Sequence, residues 1–180
     1  MLTAKRVRWK DRDAKRIYFE AFPKEERMPY FLMLGMSHLW NTEFLTFYDR
    51  ETPVGVVYLA KNPSLVFIMF LAVDKSLRGR GYGSEILRYI GEKYGRKCVV
   101  SIEPCEEGAK DLEIRNKRKS FYLKNGYEET GYRMVLSGVE QEILISGGEF
   151  NKGQFRLFFV AYSNGTVWPR IWKTDTEKER

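Results

Sequence analysis

The chain has 180 residues, 43% of them hydrophobic and 15% aromatic, which is enough apolar material for a packed core and excludes disorder over most of its length. Lysine and arginine outnumber aspartate and glutamate by 31 to 24, a net charge of +7, yet the two signs interleave, as in Lys24-Glu25-Glu26-Arg27, and form no polybasic arm. Cys98, Cys105 and a single histidine, His38, exclude a disulfide framework and a histidine-built metal centre, so no metal is expected.

In chain order, Thr3 to Trp9 alternates moderately and is predicted as a first strand. Asp11 or Asp13 can cap a helix carrying Ala14, Ile17, Tyr18, Ala21 and Phe22, apolar at i, i+3, i+4, i+7 and i+8, and closed by Pro23. A second helix is predicted over Phe31 to Leu39. Phe44 to Tyr48 and Val54 to Ala60 follow as strands around the turn residues Asp49 to Pro53. Leu65 to Val73 is an unbroken apolar run, the pattern of a strand buried on both faces. It is the longest such run and falls far short of the roughly 20 residues of a membrane span. The charged N-terminus, MLTAKRVRWK, does not suit a signal peptide, and a cytoplasmic protein is expected.

After that strand come Arg78, Gly79, Arg80, Gly81, Tyr82, Gly83 and Ser84, then a helix with Ile86, Leu87, Ile90 and Tyr94 on one side. Lys97 to Ile102 is another buried strand, Glu106 to Leu112 a polar loop, and Asn116 to Asn125 a helix ended by Gly126 in the left-handed conformation. The remainder is predicted as strands at Tyr132 to Leu136, Glu140 to Ile145, Gln154 to Ala161 and Val167 to Trp172, with Asn164-Gly165 as a hairpin turn. Residues 174–180 form a charged tail that is expected to fray.

The segment from Arg78 to Ser84 carries the chemistry. Its glycines turn the chain sharply and take away side chains that would hold a ligand off, so main-chain N–H groups converge beside a helix N-terminus. Arg78 and Arg80 add charge-assisted donors, and a diphosphate is the ligand such a cradle suits. A Walker A loop is excluded by the lack of Gly-Lys-Ser/Thr, and the dinucleotide fingerprint fails because Ser84 stands where the third glycine belongs. An ordinary strand-to-helix turn is the plain alternative for a bare Gly-x-Gly.

Ala72-Val73-Asp74 with Leu77-Arg78-Gly79-Arg80-Gly81-Tyr82-Gly83-Ser84 resembles the acyl-CoA-binding signature of the GNAT superfamily of N-acetyltransferases, and Phe121-Tyr122-Leu123-Lys124-Asn125-Gly126-Tyr127 resembles its late helix and turn. The resemblance spans Thr3 to about Leu136. It implies an α/β (α+β) fold: a mixed, mostly antiparallel central sheet flanked by helices, here one domain over 1–173 with a β-rich extension at 140–173. It also implies acetyl-CoA as cofactor and a primary amine, on a small molecule or a peptide, as acceptor. The amides from Arg78 to Ser84 would grip the diphosphate, and Leu71, Ala72 and Val73 would pair with the pantetheine arm, with the N–H near Val73 polarising the thioester carbonyl. Asn116 and Lys119 are the expected cofactor contacts on the late helix; Arg115 stands where the family has an asparagine.

By motif position Tyr122 is the general acid for the departing thiolate, the alternative being a tyrosine packed under the sheet. Glu103, at a strand end before Pro104, is the candidate base or water-relay partner, or else a solvated carboxylate. Glu20 and Glu25 could draw a cationic amine, though a solvated helix face explains them better. Other function classes stay open: a non-catalytic CoA-binding or regulatory module, or, ranked last, nucleic-acid binding through Phe158, Trp168 and Trp172. The extension completes the sheet, covers the acceptor site or makes a homodimer contact, and the sequence does not choose among the three.

Overall fold

The computed structural model describes residues 1–39, 41–136 and 138–174. The chain divides into two compact units, Met1–Gly95 and Arg96–Arg180, each built on its own four antiparallel strands.

In the first unit β1 (Thr3–Arg6), β2 (Thr42–Asp49), β3 (Thr52–Lys61) and β4 (Leu65–Val73) pair in sequence order. Three helices complete it: α1 (Arg12–Ala21), α2 (Tyr30–Met36) and α3 (Tyr82–Tyr94). Asp11 caps α1 by accepting from Ala14 N at 2.9 Å, and its other oxygen accepts from Thr46 Oγ1, which ties the helix start to β2. Ala14, Ile17 and Tyr18 are buried as the helical period requires. Tyr18 meets Phe44 and Phe70 edge-on, whereas Tyr89 of α3 meets Phe47. Phe44 and Phe47 point to opposite sides of β2, so α1 and α3 cover opposite faces of this sheet.

Several predicted boundaries change. The turn after β2 needs only Arg50 and Glu51, with Arg50 at φ 56°. Pro53 lies inside β3, beside a register shift that accommodates its missing N–H. β4 has the predicted span, but it is not buried throughout: Leu65–Ile68 are buried, whereas Met69, Phe70, Leu71 and Val73 are half-buried. A bulge at Met69, where Tyr58 faces Phe70 and Leu59 faces Ile68, bends the strand between these two parts.

In the second unit the sheet order is β5 (Lys97–Ile102), β7 (Val139–Ser146), β6 (Glu128–Leu136) and β8 (Arg170–Lys173), with α4 (Leu112–Lys124) and α5 (Lys152–Tyr162). α4 begins four residues before the predicted start. It ends as predicted: Gly126 is at φ 78°, and Tyr127 N reaches back to Tyr122 O at 3.2 Å.

The predicted strand Gln154 to Ala161 is instead helix α5. Phe155, Phe158 and Phe159 are all buried, a spacing of three and four that only a helix puts on one side. Asn151 caps it, accepting from Gln154 N at 2.9 Å. Asn164-Gly165 does not turn a hairpin: with φ values of 50° and 81° it closes α5, and Gly165 N bonds Val160 O at 2.7 Å. The strand expected from Val167 starts at Arg170. The extension is therefore strand, helix and strand, and β7 and β8 both extend the sheet of this unit. Thr174 N is held by Gly131 O at 2.9 Å, and the rest of the predicted tail lies outside the described residues. Among the described residues no helix is long and apolar enough to cross a membrane, and no group of His, Cys, Asp and Glu is placed to hold a metal.

Candidate active site

The turn from β4 into α3 is built by Asp74. Its N–H continues the strand ladder to Val54 O at 2.9 Å, and its carboxylate caps a single 3₁₀ turn, Lys75–Leu77, by accepting from Ser76 N at 2.9 Å and Ser76 Oγ at 2.6 Å. Arg16 of α1 closes on the second oxygen at 2.7 Å, although Asp74 is only 6% exposed. The Ser76 hydroxyl and the Arg16 guanidinium together outweigh burial and hold the Asp74 carboxyl below its ordinary range.

Gly79 and Gly81 then take φ values of 78° and 86°, and Gly81 is the N-cap of α3 with no side chain bonded over the helix end. The amides of the first helical turn have no partner within the helix, so they are open donors at its positive end. A Cβ at Gly79 or Gly81 would meet nothing within 4 Å; their glycines serve backbone conformation rather than close packing. Arg78, Arg80 and Ser84 are exposed around the turn, Gly83 is half-buried, and Arg78 Nε donates to Val73 O at 3.4 Å. At the far end Tyr82 Oη donates to Asp49 Oδ2 at 2.9 Å; holding that carboxylate raises the phenol's pKa.

Sequence reasoning missed Gly55, which faces Val73 across the ladder. A Cβ there would lie 2.6 Å from Ala72 O and 2.8 Å from Ile86 Cδ1. Glycine at this position lets α3 settle onto the end of β4. Nothing in the β3 pattern marks it, because the close approach comes from elements distant in sequence.

In the second unit Tyr122 is buried against Phe121 and Tyr127, with ring centroids at 5.1 and 5.3 Å. Burial pushes its phenol up to about 12, with Arg118 opposing. Glu103 is tied to Arg115 and Arg118, one guanidinium on each oxygen at 3.2 Å. Arg115 also bonds Asp111 at 2.8 Å and Pro104 O at 3.1 Å, so it serves as a brace at the start of α4. Asn116 is exposed. Lys119 is paired with Glu129 at 2.8 Å and Glu142 at 3.0 Å; these three line a polar cavity of about 180 Å³ with Cys105 and Arg133. Its ammonium is thus committed to carboxylates within this unit. Both cysteines are free thiols: Cys98 is buried and pushed up to about 11, and burial raises Cys105 as well.

A model of the acetyltransferase (GNAT) domain matches residues 40–129, half of the chain. The chain belongs to the GNAT family. A Bacillus subtilis protein, YjbC, whose name assigns it provisionally to the acetyltransferases, is 26% identical over 117 residues, covering 63% of this chain and 57% of its own length. The chain thus spans little more than half of that curated relative. A Bacteroides thetaiotaomicron structure, also provisionally described as a GNAT acetyltransferase, superposes with a TM-score of 0.73 at 19% identity, covering 92% of this chain and 99% of that one. A GNAT acetyltransferase of Elizabethkingia anophelis with acetyl-CoA bound gives 0.57 at 14% identity, covering 82% and 98%. Identities this low establish a shared GNAT fold.

Proposed function

We propose that this chain is an N-acetyltransferase that uses acetyl-CoA to acetylate a primary amine on a small molecule or a peptide, in the cytoplasm. The turn after β4 carries the proposal: two left-handed glycines, two exposed arginines, and a helix start that no side chain caps. That donor set fits a diphosphate, and the Elizabethkingia relative was solved with acetyl-CoA.

When bound, acetyl-CoA supplies an activated acetyl thioester. The amides from Arg78 to Ser84 hold the diphosphate, with Arg78 and Arg80 neutralising its charge. Leu71, Ala72 and Val73 offer backbone groups to the pantetheine arm, and the Val73 N–H polarises the acyl carbonyl. Tyr122 keeps its proton at neutral pH. With its pKa near 12, against about 8.5 for a free thiol, it stabilises the leaving sulfur as a hydrogen-bond donor more than as a strong acid. Glu103 reaches an amine only by exchanging one of its guanidinium bonds. Lys119 would likewise have to leave a carboxylate to touch the cofactor.

That engagement of Glu103 favours one alternative, a CoA-binding module without turnover. A thiol-release screen with acetyl-CoA over amines, polyamines, amino acids, aminoglycosides and peptides separates the two. The enzyme releases thiol with at least one acceptor class, and Tyr122→Phe slows release by about 100-fold while acetyl-CoA affinity changes less than about twofold. The binding module titrates with acetyl-CoA but releases no thiol. Absence of calorimetric heat with acetyl-CoA overturns both.

A further inference from the structure

Both ends of the β4–α3 turn are gripped by side chains from outside it. At the start, Asp74 is buried, its carboxylate shared between Ser76 and Arg16, five positions along α1 from the Asp11 cap of that helix. Arg16 is itself braced by Glu20, one turn further on, at 3.4 Å. At the end, Tyr82 is the first residue of α3, and its hydroxyl is anchored on Asp49, the last residue of β2 beside the Arg50–Glu51 turn. Between these anchors the chain carries two glycines in left-handed conformations with no neighbour at the Cβ position, so local packing does not hold it. A segment of that kind adopts one shape only if its ends are fixed.

We infer that Arg16 and Asp49 are positioning residues for the diphosphate cradle: by clamping Asp74 and Tyr82 they hold the amides between them in the arrangement that receives the anion. This rests on the acetyl-CoA reading above. Arg16 pairs with Asp74 and Glu20, and it acts on the turn through Asp74. An exposed ion pair contributes little by itself. Here one partner is buried, and removing Arg16 leaves a desolvated carboxylate whose remaining bonds are to Ser76, in the very turn it caps.

The test is steady-state thiol release and calorimetry on the full chain. Arg16→Ala and Asp74→Asn should each raise KM and Kd for acetyl-CoA about tenfold, equivalent to about 1.4 kcal/mol, and leave kcat within about twofold. Asn at 74 retains the bond to Ser76. The double variant should be no worse than either single one, since the two residues act as one clamp. Arg16→Lys should recover most of the affinity, and Asp49→Ala, which removes the acceptor of the Tyr82 hydroxyl, should weaken it in the same sense as Arg16→Ala. S-acetyl-pantetheine, which lacks the diphosphate, should bind wild type and Arg16→Ala equally, a distinction that a general loss of stability would not make. Unchanged acetyl-CoA affinity in Arg16→Ala, additive effects in the double variant, or an equal loss for S-acetyl-pantetheine would overturn the clamp while leaving the acetyl-CoA reading intact. If wild type binds no acetyl-CoA, the functional proposal itself fails.

Discussion

Glu43 shows how a single residue sets the chain's response to acid. It is buried in β2, with side chains of Lys61 and Lys93 bonded to its two oxygens and Arg6 at 3.9 Å. Burial alone would raise its pKa; the two lysine bonds win, and the carboxyl is held at about 2 against an ordinary 4.5. Because the folded value lies below the unfolded one, the stabilisation is complete above about pH 4.5 and disappears as pH falls toward 2. We expect the urea midpoint of the wild type to drop across that interval and that of Glu43→Gln to drop less, measured by tryptophan fluorescence at fixed ionic strength. At pH 7 the same substitution should destabilise the chain, because three cations lose their shared partner. Asp74, held down by Ser76 and Arg16, adds to the same acid sensitivity.

Elements were legible where the local pattern and the tertiary environment agree. β4 and β5 have the predicted bounds because a short apolar run ended by polar residues has few other ways to be buried. The β4–α3 turn was legible from its glycines and arginines, and its anchors were not, since Arg16 and Asp49 lie far away in sequence. α5 was misread because Phe and Val favour strands, although the spacing of Phe155, Phe158 and Phe159 already carried the helical period. Asn164-Gly165 was misread for a related reason: two successive left-handed residues suit a hairpin and a helix end alike, and only the preceding period decides between them. The half-burial of β4 from Met69 onward begins at a bulge, which depends on the partner strand. Gly55 gives a prediction at this scale. Gly55→Ala places a methyl group against the Ala72 carbonyl, which cannot move as a side chain can. A loss of about 1–3 kcal/mol is expected in denaturant titration, together with weaker acetyl-CoA binding as α3 is pushed from its seat.

At the scale of the whole molecule, the excess of seven positive charges is unevenly engaged. Much of the basic surface is tied to carboxylates: Lys119 to Glu129 and Glu142, Arg133 to Glu106 and Glu140, Arg115 and Arg118 to Glu103. Arg78 and Arg80 instead stand exposed at the turn, where their field reaches solvent. Attraction of that kind is screened over roughly 10 Å at 0.1 M salt and 3 Å at 1 M. The Kd for acetyl-CoA is therefore expected to rise about fivefold between 0.05 and 0.5 M sodium chloride, while the thermal midpoint shifts little. A Kd insensitive to salt would show that these arginines do not meet the anion.

The two thiols differ in a way that equips the protein with its own reporter. Cys98 is sealed within β5 and Cys105 is partly open, both without a disulfide. A chromogenic disulfide reagent should titrate one sulfur slowly in buffer and two at once in guanidinium, so the appearance of the second counts molecules in which β5 has come undone. A maleimide dye would mark Cys105 alone, with no engineered cysteine needed.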